Sequence, residues 1–122
     1  MSARVDPTVA EAIAIQRDLI ERFGGAQGLR DHGRLEAAVL RPHSGYYESL
    51  VDEAAALMES LSNNHAFVDG NKRLSFTLTD VFLRLNGSYL DVDAGRAYEF
   101  MVGAVAQGNF SFLLFENGYL LI

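Results

Sequence analysis

The residues whose types and spacing could do chemistry lie in one stretch, His65–Arg73, which reads HAFVDGNKR. Gly70 permits backbone conformations that are closed to other residues, and a predicted helix begins directly after it. The first N–H groups of a helix have no partner within it and attract anions, phosphate above all. Lys72 and Arg73 add two cations to that first turn, where the helix dipole disfavours positive charge. A sequence that accepts this conflict is expected to bind an anion.

Two further side chains in the same stretch add to this chemistry. Asp69 places a carboxylate beside the cations, suited to bind Mg²⁺ together with phosphate oxygens. His65 is the group in the stretch that exchanges a proton near neutral pH. A base, a metal ligand, a backbone anion site and two cations this close together indicate phosphoryl or nucleotidyl transfer.

Each of these residues also has a purely structural interpretation. Asp69 could cap the following helix, and Gly70 could serve only the turn. Lys72 and Arg73 could form a solvated face, and His65 could be a hydrogen-bonded structural histidine. We favour the catalytic interpretation because one site accounts for all of these residues together.

The elements around this stretch are predicted to be helices of one all-α domain spanning residues 1–122. A chain of 122 residues with 49% hydrophobic residues can bury a core without disulfides or a metal. The first helix is predicted to have Asp6 as its N-cap, Pro7 in its first turn and the Gly24–Gly25 pair as its end. Further helices are predicted over Gly33–Leu40, over about fifteen residues around Leu50–Leu61, over Asn71–Asn86, and from Asp93 to Gly108. In the second helix, the residues predicted to face inward are Leu35, Ala38 and Val39. The apolar stripe of the first helix is Val9, Ile13, Ile20 and Phe23, with Gln16 as its single polar member.

Two structures are compatible with the sequence of the C-terminal segment. Asn117–Gly118 lies between two apolar runs, Phe112–Phe115 and Tyr119–Ile122, which is the signal of a β-hairpin. A buried terminal helix is the alternative. The fold class is therefore all-α, a compact domain of about five to six helices, with a short C-terminal hairpin as one form of its end.

Composition excludes several classes of protein. The absence of cysteine excludes disulfides, thiolate metal sites and a cysteine nucleophile. The net charge of −6 disfavours direct binding of nucleic acid, although a local cationic site is compatible with it. Neither a secretory leader nor an apolar run long enough to span a bilayer is visible, so we expect a cytoplasmic protein without a membrane partner.

The stretch HAFVDGNKR resembles the motif of the Fic/Doc superfamily, H-x-F-x-(D/E/N)-(G/A)-N-(G/K)-R, in the form typical of death-on-curing (Doc) toxins. The upstream run GGAQGLRDHGRLEAAVLRP is also similar to that family, and the likeness covers roughly residues 8–90. The resemblance implies a compact helical Fic/Doc domain that acts as the toxin of a toxin-antitoxin system.

The resemblance implies a role for each matched residue. His65 would be the catalytic base that deprotonates a target hydroxyl, and Asp69 would bind Mg²⁺. Phe67 would anchor the loop in the core. Gly70 and Asn71 would form the site that binds phosphate.

Arg73 would grip the nucleotide phosphates, and Lys72 would distinguish between two reactions. AMP-transferring Fic enzymes have glycine at the Lys72 position, whereas Doc-type proteins have lysine. The resemblance therefore implies a kinase that uses ATP and phosphorylates a threonine of elongation factor Tu, which blocks translation. AMP transfer by the same loop and a noncatalytic binding module remain the alternatives.

Two regions bear on partners. The resemblance implies a separate antitoxin that lies in a groove on the helical surface. The segment Arg41–Tyr47 precedes a helix, as does the flap of the family, so it either docks the target or covers the core with its tyrosines.

Overall fold

Four helices make up most of the chain that this computed structural model describes, namely residues 4–47, 49–90 and 120–121. The fold class is confirmed as all-α with a helical core. Helix α1 spans Val9–Phe23, α2 His32–Leu40, α3 Leu50–Asn63 and α4 Asn71–Leu85; a 3₁₀ turn covers Arg41–His43, and two short strands lie at Tyr89–Leu90 (β1) and Leu120–Leu121 (β2).

The start of α1 differs from the prediction, because Thr8 and not Asp6 caps the helix. The Thr8 hydroxyl accepts the N–H of Glu11 at 3.0 Å, and the Glu11 carboxylate accepts the N–H of Thr8 at 3.1 Å. This reciprocal capping box satisfies two N–H groups that the helix leaves unpaired. Asp6 instead pairs with His43, whose Nε2 lies 2.7 Å from its carboxylate.

The core lies mainly between α3 and α4, with α1 and α2 packed around them. The three inward positions predicted for α2 are all buried, which confirms the apolar periodicity used to predict them. The largest fully buried apolar side chains are Leu35, Leu57, Met58, Leu74, Leu78, Phe82 and Leu83.

A polar contact crosses the α3–α4 interface close to the loop between these helices. The Ser62 hydroxyl donates to Ser75 at 2.8 Å, and the Ser75 hydroxyl donates to the carbonyl of Lys72 at 2.7 Å. Both serines are buried, so these bonds join the last turn of α3 to the first turn of α4. Ser75 thus has a packing role inside α4.

The C-terminal predictions fall largely outside the described residues. The helix predicted from Asp93 and the strand predicted at Phe112–Phe115 both lie there. Strand β2 pairs antiparallel with β1, so that Tyr89 faces Leu121 and Leu90 faces Leu120. Among the described helices, none combines the length and the hydropathy needed to cross a membrane.

The burial of α4 yields a stability prediction. Leu78 is fully buried, whereas Leu85 on the same helix is 43% exposed. We expect Leu78→Ala to lower the free energy of unfolding by about 2–5 kcal/mol, because it leaves a cavity in a packed core. Leu85→Ala should cost less than about 1 kcal/mol. Urea denaturation of both variants checks this, and equal losses would contradict the described packing.

Candidate active site

The candidate site is the loop that joins α3 to α4, and it opens with His65 in an unusual backbone conformation. Asn64 caps the C-terminus of α3, and His65 follows it with φ of 51°. This left-handed position after a helix is usually occupied by glycine, because other side chains are strained there. The conformation turns the chain away from α3 and leaves the imidazole exposed. No ion pair or hydrogen bond joins that imidazole to the rest of the described chain.

The middle of the loop is fixed to the segment that precedes α2. Phe67 is buried and forms an isolated antiparallel bridge with Leu29. The N–H of Val68 donates to the carbonyl of Gly28 at 3.0 Å, and the N–H of Arg30 donates to the carbonyl of Ala66 at 2.8 Å. Phe67 therefore occupies the position expected of a loop anchor.

Asn71 closes the loop from the other end. Its side-chain oxygen accepts the N–H of Phe67 at 3.1 Å, and its amide nitrogen donates to the carbonyl of Phe67 at 2.9 Å. These two bonds satisfy a backbone pair that the turn would otherwise leave unpaired. The Asn71 side chain thus shapes the loop, and what it offers an anion is its backbone N–H at the start of α4.

Gly70 is the N-cap of α4 and lies in the left-handed region, with φ of 72° and ψ of 18°. A Cβ added to Gly70 would lie 3.0 Å from Nε2 of Gln16 and 3.1 Å from Cδ1 of Ile20. Backbone conformation and space therefore both require glycine. Since glycine has no side chain to cap the helix, the N–H groups of the first turn of α4 are left to an external acceptor.

Asp69 does not cap α4, because Gly70 holds that position. Its carboxylate accepts the N–H of Gly70 at 2.9 Å through Oδ1 and the N–H of Ala26 at 3.2 Å through Oδ2. Its backbone carbonyl accepts the side-chain amide of Gln16. Asp69 is exposed and each of its carboxylate oxygens retains a second lone pair, so the oriented carboxylate is still able to bind a cation.

Mg²⁺ fits this single carboxylate. The ion usually keeps several waters and is held by one or two carboxylates together with substrate phosphates. Across the described ranges, no cluster of three or more histidine, aspartate or glutamate residues could hold a metal by itself. A metal at Asp69 therefore depends on a phosphate that arrives with a substrate.

The two cations of the loop, Lys72 and Arg73, are exposed on the first turn of α4. Neither forms an ion pair with a carboxylate in the part of the chain that is described, whereas Arg84 on the last turn of α4 pairs with Asp80 at 2.8 Å. Without such a carboxylate, their charge adds to the positive end of the helix dipole. This end of α4 is thus a concentrated positive site in a protein of net charge −6.

Arg73 has an aromatic neighbour that the sequence did not predict. Its guanidinium carbon lies 4.4 Å from the centroid of the Phe23 ring. Phe23 was predicted to belong to the apolar stripe of α1, but it is 61% exposed and therefore lies outside the core. As the last residue of α1, it projects beyond the core and meets the first turn of α4 instead.

Sequence reasoning also missed two supporting residues. Gln16 is only 3% exposed, and its amide holds the Asp69 carbonyl; its isolated polar character on an apolar stripe was the available signal. Gly25 lies against the Asp69 carboxylate, and a Cβ added there would be 2.8 Å from Oδ2. The Gly24–Gly25 pair was interpreted only as the end of a helix, and nothing in it distinguished one glycine from the other.

The two tyrosines of the Arg41–Tyr47 segment differ in their surroundings. Arg41 donates through Nε to the Tyr47 hydroxyl at 3.0 Å and through Nη1 to the Ser60 hydroxyl at 2.7 Å. Tyr46 is 85% exposed. The segment is therefore fixed to α3 through Arg41 and presents one aromatic ring to solvent.

The close packing around Gly70 predicts how strongly a substitution there lowers the stability of the protein. Gly70→Ala and Gly87→Ala both place an alanine at positive φ, which costs about 1–2 kcal/mol. An added Cβ at Gly87 meets nothing within 4 Å, whereas at Gly70 it presses on Gln16 and Ile20. We expect Gly70→Ala to destabilise the protein by about 1 kcal/mol or more beyond Gly87→Ala. Chemical denaturation measures this difference, and its absence would refute the tight packing beneath the loop.

Comparison with known proteins identifies the family to which this chain belongs. The model of the Fic/DOC family matches residues 6–83. The chain is 46% identical over 86 residues to "Toxin Doc" of Mycolicibacterium smegmatis, covering 65% of this chain and 66% of that protein. It is 34% identical over 98 residues to "Protein kinase doc" of Escherichia phage P1, covering 77% of each chain. The chain belongs to the Fic/DOC family, as its loop motif predicted.

Proposed function

We propose that this protein is the toxin of a toxin-antitoxin system and acts as an ATP-dependent protein kinase. Its target would be a threonine of elongation factor Tu, and the modification would block translation. The observation that carries the proposal is the open N-terminus of α4, where Gly70 provides no cap and two cations have no carboxylate partner among the described residues. The names of the two relatives, a Doc toxin and a Doc protein kinase, support the same conclusion.

The first part of the proposed site binds the phosphates of ATP. The N–H groups of the first turn of α4 point along the helix axis toward the loop and attract negative charge. Arg73 supplies a planar guanidinium that suits bidentate phosphate contacts, and Lys72 supplies a compact positive charge. These groups stabilise the charge that spreads over the phosphoryl oxygens during transfer.

The second part of the site is Asp69, which would hold Mg²⁺. When bound, the ion neutralises and orients the phosphate oxygens. The N–H groups of Gly70 and Ala26 fix the carboxylate from two sides, so it does not have to be ordered when the nucleotide arrives. This arrangement lowers the entropic cost of assembling the site.

The third part is His65, which takes the proton of the threonine hydroxyl. As that hydroxyl oxygen forms a bond to the γ-phosphorus, the bond from phosphorus to the β,γ-bridging oxygen breaks and ADP leaves. The proton moves to the imidazole, and the product is a phosphothreonine. The exposure of His65 supports this role because a base must reach a proton on a second protein.

Lys72 favours phosphoryl transfer over AMP transfer. A glycine at this position would leave space beside the helix for a diphosphate, whereas lysine fills that space and contributes a phosphate contact of its own. We infer that the nucleotide binds with its γ-phosphate toward His65. AMP transfer would require the α-phosphate at the same place.

The proposed partners follow from this activity. A kinase directed at elongation factor Tu works in the cytoplasm and needs a cognate antitoxin to restrain it. The net charge of −6 gives no support to direct binding of nucleic acid. The exposed ring of Tyr46 is the described feature that best suits docking of a target segment.

The central test is transfer of radiolabel to purified elongation factor Tu in the presence of Mg²⁺. We expect label from γ-labelled ATP and a mass increase of one phosphoryl group. His65→Ala should lower the rate at least about a hundredfold, because it removes the base. His32→Ala is the matched control, since His32 is also exposed but lies on α2 beside Glu36.

Each other outcome has a distinct meaning. Label from α-labelled ATP would replace the kinase with an AMP-transferase. No label from either nucleotide, together with partner binding that survives His65→Ala, would identify a noncatalytic binding module. Equal growth arrest by the wild type and His65→Ala in cells would contradict both enzymatic functions.

A paired glycine experiment tests the role of Asp69. Gly24→Ala and Gly25→Ala both strain a backbone of positive φ, but only the Cβ at position 25 collides with the Asp69 carboxylate. We expect Gly25→Ala to raise the Mg²⁺ concentration for half-maximal label transfer about tenfold, as is usual when a supporting contact of a metal ligand is lost. Gly24→Ala should leave that concentration unchanged. The same Mg²⁺ dependence in both variants would argue against Asp69 as the ligand.

A further inference from the structure

The contact between Phe23 and Arg73 joins two side chains that are both exposed on the surface. Phe23 ends α1 with 61% of its surface exposed, and the Arg73 guanidinium lies 4.4 Å from its ring centroid. An exposed phenylalanine contributes little to the core, so burial does not explain its position. What the ring does contact is a residue that the proposed function assigns to phosphate binding.

The chemistry of this stack leaves the phosphate-binding donors of Arg73 free. A guanidinium held over an aromatic ring is attracted by the π electrons and keeps its charge. The ring has no oxygen atom that would accept the N–H donors of the guanidinium. A carboxylate partner would instead occupy the donors that a phosphate needs.

The contact with Phe23 also counteracts the repulsion between the Arg73 charge and the positive end of the helix dipole. Arg73 lies in the first turn of α4, where the helix dipole repels a cation and favours extension of the side chain into water. A flexible arginine would then have to be ordered each time an anion binds. The Phe23 ring offers the guanidinium a fixed surface at this place without neutralising its charge.

The end of α1 supports the loop at a second point. Gly24 and Gly25 follow Phe23, and the next N–H, that of Ala26, binds the Asp69 carboxylate at 3.2 Å. The same turn of chain therefore contacts the proposed phosphate-binding arginine and the proposed metal ligand.

We propose that Phe23 is a positioning residue, which holds the Arg73 guanidinium over its ring and keeps its N–H donors available to bound phosphate. The inference rests on the proposed function, because it assigns the anion as the phosphate chain of the nucleotide. Phe23 itself contacts neither the phosphate nor the reacting atoms.

Variants of Phe23 and Arg73 can remove each partner of the contact separately. Phe23→Leu keeps an apolar side chain and removes the π face, whereas Phe23→Tyr keeps the face. Arg73→Gln removes the cation, and Phe23→Leu combined with it completes a double-mutant cycle. Because Phe23 is exposed, urea denaturation of Phe23→Leu should differ little from that of the wild type.

The first measurement needs no enzymatic activity. In the NMR spectrum of the whole chain, the Nε–Hε signal of Arg73 should carry an upfield ring-current shift, which is lost in Phe23→Leu and retained in Phe23→Tyr. The second measurement is titration with inorganic triphosphate. A surface cation–π contact corresponds to a loss of about two- to fivefold in affinity for Phe23→Leu, with recovery in Phe23→Tyr.

The outcomes separate this inference from the function on which it rests. The expected shifts and affinities, with no loss from Phe23→Leu in the Arg73→Gln background, support the positioning role. They do so even if elongation factor Tu takes up no label, in which case the proposed kinase activity alone fails. An Arg73 signal without the ring-current shift, or equal losses in both backgrounds, overturns the role of Phe23. A wild-type protein that binds no triphosphate overturns both proposals.

Discussion

The left-handed backbone of Gly70 is the constraint on which the site depends. It lets the chain turn sharply into α4 without a side chain that would cap the helix, so the positive end of the dipole stays available. The turn is tight enough that Gln16 and Ile20 of α1 lie against it. The rigid turn and the open helix end are both consequences of one residue without a side chain.

Around this turn, hydrogen bonds from side chains hold the loop in one conformation. Asn71 binds both backbone groups of Phe67, and the Asp69 carboxylate binds two backbone N–H groups. The side chains that reach solvent, by contrast, make few contacts with the described protein. The loop thus divides its residues into those that hold its shape and those whose charge or proton is available to a ligand.

Much of the helical framework could be predicted from the sequence, because apolar periodicity reports which face of a helix is buried. The inward residues of α2 and the start of α4 at Asn71 were predicted in this way. Apolar periodicity does not identify buried residues at helix ends, however, because a residue there can continue the pattern and still lie beyond the core. Phe23 is such a residue, and the misplaced cap at Asp6 shows the same limit at the other end of α1.

The candidate residues of the loop could also be found from the sequence, since their chemistry is concentrated in a short stretch. The residues that support them could not, because their contacts join distant parts of the chain. The bond from Gln16 to Asp69 spans 53 positions, and that from Ala26 to Asp69 spans 43. No local pattern encodes such a pairing, and a lone polar residue on an apolar stripe does not name its partner.

His65 adopts a positive φ, so the backbone conformation that exposes its imidazole also strains the folded state. Glycine at that position would relieve a strain of about 1 kcal/mol, offset in part by the larger entropy of glycine in the unfolded chain. Under the proposed function, the site therefore accepts a strained turn in exchange for an exposed imidazole at this place.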